Sequence, residues 1–386
     1  MAAQLTARFP SGMLSLGFLL HIEHVTGSYA AAGLVLASMS IGQGVSGPLT
    51  SRVMGIYGIR NVIAITVVAC SFAVTAIALI PMNVPTYMAV ALLAGLSFPP
   101  IQPAVRTIYP KLVNSRQLNP LFALDASAQE LIWIGGPVAV TFVSTQIGTV
   151  WGILLSVTLM LGGGLWFVLS PEVGRVRIPR SKRSFGKVLL RPQVLLATIV
   201  GFLLIGSCAS IEAGVVAAFG DESAEAGIVL AIWSLGSLLG GLAFGHRPIS
   251  RWALTRRLAI VFVGVAIASA AMNFWWLSIF LVVSGIGLAP ALANLFAIVS
   301  SSVRFSDTAE AFGWAGTGQL IGAGLGSALA GSLIDQQGAQ GAFFVGAGLA
   351  LAAIAAALLG LRWTPDLRFR DASPIPDTEP IPIQPS

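Results

Sequence analysis

Long apolar stretches, separated by short polar or glycine- and proline-containing breaks, follow one another along almost the whole chain. A helix that crosses about 30 Å of hydrocarbon needs about 20 mostly apolar residues, and the stretches have this length. The pattern therefore predicts an all-α membrane protein with twelve transmembrane helices, near residues 5–25, 28–51, 61–80, 86–109, 118–146, 149–169, 193–218, 224–245, 256–274, 276–302, 308–334 and 339–361.

The second half of the chain repeats the first. Residues 32–42 (AGLVLASMSIG) match residues 226–236 (AGIVLAIWSLG), and residues 96–100 (LSFPP) fall opposite residues 286–290 (IGLAP). The offset between the matching segments is nearly constant, so the similarity is not that of unrelated apolar helices. Two six-helix halves in parallel orientation are one of the architectures of secondary transporters, in which the substrate site lies between the halves.

This repeat predicts four segments. Residues 1–169 form the N-terminal six-helix half, residues 170–192 a basic cytoplasmic linker, and residues 193–361 the C-terminal six-helix half. Residues 362–386 are rich in proline, and we expect them to be a disordered cytoplasmic tail.

Composition and charge agree with a membrane location. Hydrophobic residues make up 56% of the chain and charged residues only 9%, against roughly 25% in ordinary soluble domains. All 21 Lys and Arg residues fall in segments on one side of the twelve predicted helices, and such segments face the cytoplasm. We therefore predict a multi-pass protein of the inner (plasma) membrane with both termini in the cytoplasm, and no separate catalytic domain.

The turn after the second predicted helix, residues 47–60 (GPLTSRVMGIYGIR), resembles the loop signature G-x-L-x-x-R-x-x-D-R-x-G-R-R of the major facilitator superfamily. The glycines and arginines that match are Gly47, Gly58, Arg52 and Arg60. Gly55 stands at the position of the family's acid. The resemblance implies a transporter that works by alternating access, with a loop that helps to lock the cytoplasmic gate by charge contacts.

A cytoplasmic gate follows from this resemblance. We assign Arg52, Arg60, Arg106 and Asp125 to it, and we expect Asp125 in the fifth helix to pair with an arginine from a neighbouring loop. The fragment Gly136-Pro137 is similar to part of the family's antiporter motif and favours export, although it has a second reading as a simple helix kink.

Three acids are candidates for proton coupling, because a carboxyl group inside a membrane is costly and usually faces a cavity or a partner. Glu130 lies deepest in the fifth helix, with no basic residue predicted at its level. Glu23 and Glu212 occupy matching positions in the first helix of each half, near the outer surface. For each acid a structural role, hydrogen-bonded to a carbonyl or solvated at a helix end, stays open.

Polar residues elsewhere in the predicted helices are candidates to line the cavity: His21, Gln102, Gln129, Asn294 and Gln319. Each of them is also suited to a hydrogen bond between helices.

The expected function is that of a secondary active transporter, not an enzyme, that exports a small organic molecule in exchange for protons. An uptake carrier or uniporter for a metabolite, and a non-transporting receptor or assembly partner, are the alternatives. No G-x-x-x-x-G-K-[ST] sequence is present for ATP hydrolysis. The three histidines show no metal-ligand spacing, so we expect no metal and no cofactor. We expect a small-molecule substrate, lipid and protons as partners, no nucleic acid, and a monomer.

Overall fold

The computed structural model describes residues 1–179, 184–219, 224–244, 247, 249–368 and 372–377. Within them the chain is almost entirely helical. The helices are α1 (Ala2–Arg8), α2 (Pro10–Thr26), α3 (Tyr29–Tyr57), α4 (Ile59–Leu79), α5 (Val84–Leu96), α6 (Ile101–Leu112), α7 (Ser115–Gln146), α8 (Thr149–Leu169), α9 (Pro171–Arg175), α10 (Pro192–Phe219), α11 (Ala224–Phe244), α12 (Ala253–Ala268), α13 (Phe274–Ser302), α14 (Thr308–Gln337) and α15 (Ala339–Leu359).

The predicted twelve-helix arrangement in two halves is confirmed, with two of the predicted helices divided in the structure. The first consists of α1 and α2, which meet at Phe9 before Pro10. The fourth consists of α5 and α6, because residues 97–100 end in two prolines that interrupt the helix. Nine stretches of the described chain are long and apolar enough to cross a membrane, and α1–α2, α3 and α12 complete the twelve.

The segments rich in Lys and Arg meet at one end of the bundle, which we call the basic end. Arg60, at the start of α4, donates a hydrogen bond to the carbonyl oxygen of Ser170 after α8. Arg191, before α10, donates to the carbonyl oxygen of Ser302 at the end of α13. These contacts join segments that are far apart in sequence. The basic residues therefore cap helix ends, and they also mark one side of the bundle.

Part of the tail that begins at Arg362 contacts the basic end of the bundle. The backbone N–H of Ile375 donates to the carbonyl oxygen of Val303, and the N–H of Phe305 donates to that of Ile375. The segment around Ile375 and the turn between α13 and α14 thus form a short parallel bridge at the basic end. Without this bridge, backbone groups of the turn would lack hydrogen-bond partners. Residues 378–386 lie outside the described part.

In each half, a pair of glycines lets the second transmembrane helix pack closely against the fourth transmembrane helix. A Cβ atom on Gly42 of α3 would lie 2.5 Å from a backbone oxygen of α5, and one on Gly236 of α11 would lie 2.6 Å from a backbone oxygen of α13. Gly95 and Gly285 stand opposite them in the partner helices. Small residues of this kind let membrane helices approach closely, and their equivalent placement in both halves is the structural counterpart of the sequence repeat.

We predict that Gly42→Val and Gly236→Val each lower the stability of the protein by about 1–3 kcal/mol, because the added methyl groups force the paired helices apart. The repeat offers matched controls. Gly33 and Gly227 lie in the same two helices with open space around them, so Gly33→Val and Gly227→Val should unfold at the wild-type temperature in detergent. Equal loss of stability in all four variants would mean that the close contact is unimportant.

Candidate functional site

A buried charged cluster lies in the N-terminal half, where three helices meet. Asp125 of α7 accepts a hydrogen bond from Nη1 of Arg8 at 2.7 Å and one from Nε of Arg106 at 3.1 Å. The hydroxyl of Tyr109 donates to the same carboxylate at 3.0 Å. All four residues are buried. We call Arg8, Arg106, Tyr109 and Asp125 the Asp125 cluster.

The sequence places these residues within about three helical turns of the basic end. Arg8 ends α1, just before the break at Phe9. Arg106 lies six residues before the end of α6, and Asp125 lies ten residues after the start of α7, which corresponds to about 9 and 15 Å from the basic end at 1.5 Å per residue. Buried ions at this depth are stable only when paired and hydrogen-bonded, and the cluster provides both.

Two glutamines extend the cluster towards the middle of the bundle. The side-chain oxygen of Gln129 accepts hydrogen bonds from Nη2 of Arg8 at 2.9 Å and from Nη2 of Arg106 at 3.1 Å. The amide of Gln102, oriented with its oxygen towards Arg106, accepts from that guanidinium at 2.6 and 2.7 Å. Both glutamines are partly exposed, so they lie between the buried arginines and the space inside the bundle.

Aromatic side chains from both halves close the bundle near the basic end. The ring of Phe122 in α7 packs against Phe296 of α13 and Phe312 of α14, with centroids 6.3 Å away in each case. The guanidinium carbon of Arg106 lies 3.4 Å from the centroid of the Phe296 ring. All three rings are buried. The Asp125 cluster is therefore in direct contact with the other half through Arg106.

A salt bridge between the halves lies beside this aromatic layer. Nη1 of Arg52 donates to Oε2 of Glu310 at 2.7 Å, and the backbone N–H of Gly186 donates to Oε1 of the same residue at 2.8 Å. Glu310 is buried and Arg52 is mostly so. Glu310 lies in the first turn of α14, where the helix dipole favours an acid.

The predicted gate residues therefore belong to different contacts. Of the three arginines that the sequence offered to Asp125, Arg106 binds it, whereas Arg52 pairs with Glu310. Arg60 binds the carbonyl oxygen after α8 instead. Arg52 and Arg60 do not reach Asp125 because they leave the helix ends in the direction of the C-terminal half and of α8.

Glu130 lies at the junction of the two halves. Its Oε1 accepts a hydrogen bond from the hydroxyl of Ser237 in α11 at 3.0 Å. Glu212 of α10 is close enough to interact electrostatically with Glu130 and with Cys208, one helical turn before it. Glu212 is exposed although it lies on a central helix.

The remaining candidates lie in separate places. His21 is buried inside the N-terminal half, where its ring nitrogens contact the hydroxyl of Thr149 and the carbonyl oxygen of Ile77. With His24 it lines a cleft of about 470 Å³ at the end opposite the basic end. Glu23, on the same helix, is partly exposed.

The two candidates of the C-terminal half contact neighbouring helices. Asn294 is fully buried, and its side-chain oxygen accepts a hydrogen bond from Arg257 of α12. Its amide nitrogen has no hydrogen-bond partner among the described residues. Gln319 is buried against α10, close to Gly201.

Two residues of these contacts, Arg8 and Glu310, are not among the site residues predicted from the sequence. Arg8 falls among the basic residues that mark one side of the predicted helices, and its partner Asp125 lies 117 positions away in the chain. Glu310 has a sequence signal, because it is an acid at the start of a predicted helix. In the described part of the chain, no group of three or more His, Cys, Asp or Glu side chains is arranged to hold a metal ion.

Comparison with known families gives this geometry a context. The sequence profile of the Major Facilitator Superfamily matches residues 1–274 and 211–383, which together span nearly the whole chain. The chain belongs to the major facilitator superfamily. It is therefore a multi-pass membrane protein of a family of transporters that bind small molecules within the membrane. No curated protein matches the sequence.

Solved structures of low sequence identity share the fold. A bacterial homologue of the iron transporter ferroportin, in an outward-facing state, is 12% identical, with 94% of this chain and 97% of that chain covered and a TM-score of 0.75. The human organic anion transporter MFSD10 is 16% identical, with coverage of 92% and 97% and a TM-score of 0.70. The E. coli fucose:proton symporter is 14% identical, with coverage of 93% and 98% and a TM-score of 0.70.

We predict that Asp125→Asn destabilises the protein by about 3–5 kcal/mol, because it leaves two buried guanidinium groups without their counter-ion. Asp366, which pairs with Arg368 at the surface at 2.7 Å, provides the control. Asp366→Asn should have no measurable effect, because solvent screens an exposed pair. Thermal unfolding in detergent measures both changes, and similar unfolding temperatures for the two variants would show that the Asp125 cluster is not a stabilising ion cluster.

Proposed function

We propose that this protein is a secondary active transporter that works by alternating access and exports a small organic molecule in exchange for protons. The observation that carries the proposal is the hydrogen bond between Glu130 of α7 and Ser237 of α11, 3.0 Å long and formed between the two halves. A carboxyl group at this junction changes its surroundings whenever the halves move, and a change of surroundings is what couples proton binding to conformation.

The chemistry of the coupling step follows from burial. When the halves meet, water leaves Glu130, and the neutral, protonated acid is favoured because the protein interior disfavours an unpaired charge. When they separate, the bond to Ser237 breaks and water returns, so the proton can leave to that side. Glu212 lies within electrostatic range of Glu130, and two adjacent carboxylates disfavour double ionisation. Glu212 therefore helps to retain one proton in the closed site.

The contacts near the basic end act as the gate of this cycle. Two contacts join the halves in the structure: the layer of Phe122, Phe296 and Phe312, and the salt bridge between Arg52 and Glu310. To open the basic end, the protein must separate these rings and break this salt bridge. The conformation described here is closed at the basic end by these contacts.

Uptake by symport or by uniport is the alternative for the same fold, since one of the similar structures is a proton symporter. In the sequence, the similarity of the Gly136–Pro137 fragment to the antiporter motif favours export. A receptor role has no comparable support. We further propose a monomer in the inner membrane, with the basic end and both termini in the cytoplasm, following the placement of all 21 Lys and Arg residues.

We predict that Glu130→Gln abolishes accumulation driven by a pH gradient and leaves exchange without a gradient intact. Glutamine keeps the shape of the protonated acid and the bond to Ser237 but cannot release a proton. Proteoliposomes are loaded with a labelled anion, cation or neutral hexose, namely benzoate, tetraphenylphosphonium or fucose. The comparison uses the compound that wild-type protein concentrates, under an imposed pH gradient, beyond the level in protein-free liposomes.

The matched control is Asp335→Asn, which removes an exposed acid near the far end of α14 and should leave accumulation at the wild-type level. If the Glu130→Gln variant still concentrates the compound at the wild-type rate, Glu130 does not couple protons. If wild-type protein equilibrates the compound without concentrating it under any pH gradient, the protein is a uniporter.

The orientation is tested by cysteine labelling in intact cells. A cysteine at exposed Arg251, at the basic end, should react with an impermeant maleimide only after the membrane is permeabilised, whereas one at exposed Asp335 should react at once. The two natural cysteines, Cys70 and Cys208, are buried and give a low background. The opposite pattern would place the basic end outside the cell.

A further inference from the structure

The Asp125 cluster carries more positive than negative charge. It contains two guanidinium groups, which are not deprotonated in proteins, and one carboxylate. The charged groups that act on Arg106 are Asp125 and Arg8, together with the hydroxyl of Tyr109. Among the described residues, Asp125 is the acid that forms salt bridges with the two guanidinium groups, whereas Glu130 is hydrogen-bonded to Ser237 of the C-terminal half. One positive charge is therefore left without a counter-ion among the described groups of this buried site.

The free edges of the two guanidinium groups converge on one neutral atom. Nη2 of Arg8 and Nη2 of Arg106, on different helices, donate to the same side-chain oxygen of Gln129, at 2.9 and 3.1 Å. An amide oxygen satisfies the geometry of these donors and leaves the charge uncompensated. A carboxylate, sulfonate or phosphate oxygen at the same place would satisfy both, and such groups fit the planar fork of an arginine.

We propose that Arg8 and Arg106 form the binding site for an anionic group of the transported molecule, and that the Gln129 oxygen occupies the place of that group in the conformation described here. This inference rests on the proposed transport function and names its substrate class, an organic anion. Gln129 and Gln102 are both partly exposed, so their side chains can turn towards the solvent space and free the arginines without moving a helix.

The contact with Phe296 determines the side from which the anion enters. The Arg106 guanidinium lies against this ring of the C-terminal half, 3.4 Å from its centroid, and the layer of Phe122, Phe296 and Phe312 lies between the halves near the basic end. When the halves part at the basic end, Phe296 leaves Arg106 and the guanidinium face becomes accessible. Binding of an anion from that side agrees with export.

Binding is measured without any gradient, by thermal unfolding of the full-length protein in nanodiscs. The probes are benzoate, benzenesulfonate and phenyl phosphate, and benzamide is their uncharged counterpart. We expect at least one of the three anions to raise the unfolding temperature by about 2 °C or more at saturation, because a ligand that binds the native state stabilises it. Benzamide should have no effect. No response to any of the three anions would overturn the proposal.

The decisive variant is Gln129→Glu, which adds the missing negative charge at nearly unchanged shape. We expect it to raise the unfolding temperature of the ligand-free protein and to remove the response to the anions. Gln319→Glu is the matched control, since it places an acid at another buried glutamine, which packs against α10. It should lower the unfolding temperature, because its charge has no arginine to neutralise, and it should keep the anion response.

A Gln129→Glu variant that is destabilised as much as Gln319→Glu, or one that still responds to the anions, would contradict the site. Failure of this proposal is distinguishable from failure of the transport proposal, because neither measurement involves flux or protons. Wild-type protein that concentrates tetraphenylphosphonium or fucose, and shows no anion response, would be a transporter with a different substrate class.

Discussion

The hydrocarbon interior of a membrane supplies no water to a charged side chain, so each ion within a transmembrane helix must find its partners in the protein. The Asp125 cluster meets this constraint by drawing α1, α6 and α7 together around one carboxylate. Arg8, at the end of α1, and Arg106, in α6 after the interruption that follows α5, both lie within hydrogen-bond distance of it. The shape of the N-terminal half near the basic end thus depends on these charge contacts.

The same cluster is connected to the moving parts of the molecule. Arg106 contacts Asp125 on one side and the ring of Phe296 on the other. Any movement of the C-terminal half at the basic end therefore changes the surroundings of a buried ion. In a transporter, this is an advantage, because binding of a charged substrate and opening of the gate then act on the same residues, and each alters the free energy of the other.

The two halves are alike in their packing and unlike in their chemistry. Equivalent glycines bring α3 against α5 and α11 against α13. In the C-terminal half, Phe296 occupies the place that the sequence repeat assigns to Arg106, and the buried Arg257 binds the side-chain oxygen of Asn294 rather than an acid. Instead, that half contributes Glu212 and Ser237 to the junction with Glu130. The repeat thus supplies a common scaffold, and the substitutions on it supply two different polar regions.

The number of helices, their division into two halves and the side that bears the basic residues are properties of the sequence alone, because each depends on local hydrophobicity, length and charge. The acids inside the helices could also be read from it. The residues that bind these acids cannot be predicted from the sequence. Asp125 binds Arg8 and Arg106, and Arg52 binds Glu310, 258 positions further along the chain. Which arginine reaches which acid depends on how the helices tilt, break and rotate against one another, and only the tertiary packing decides that.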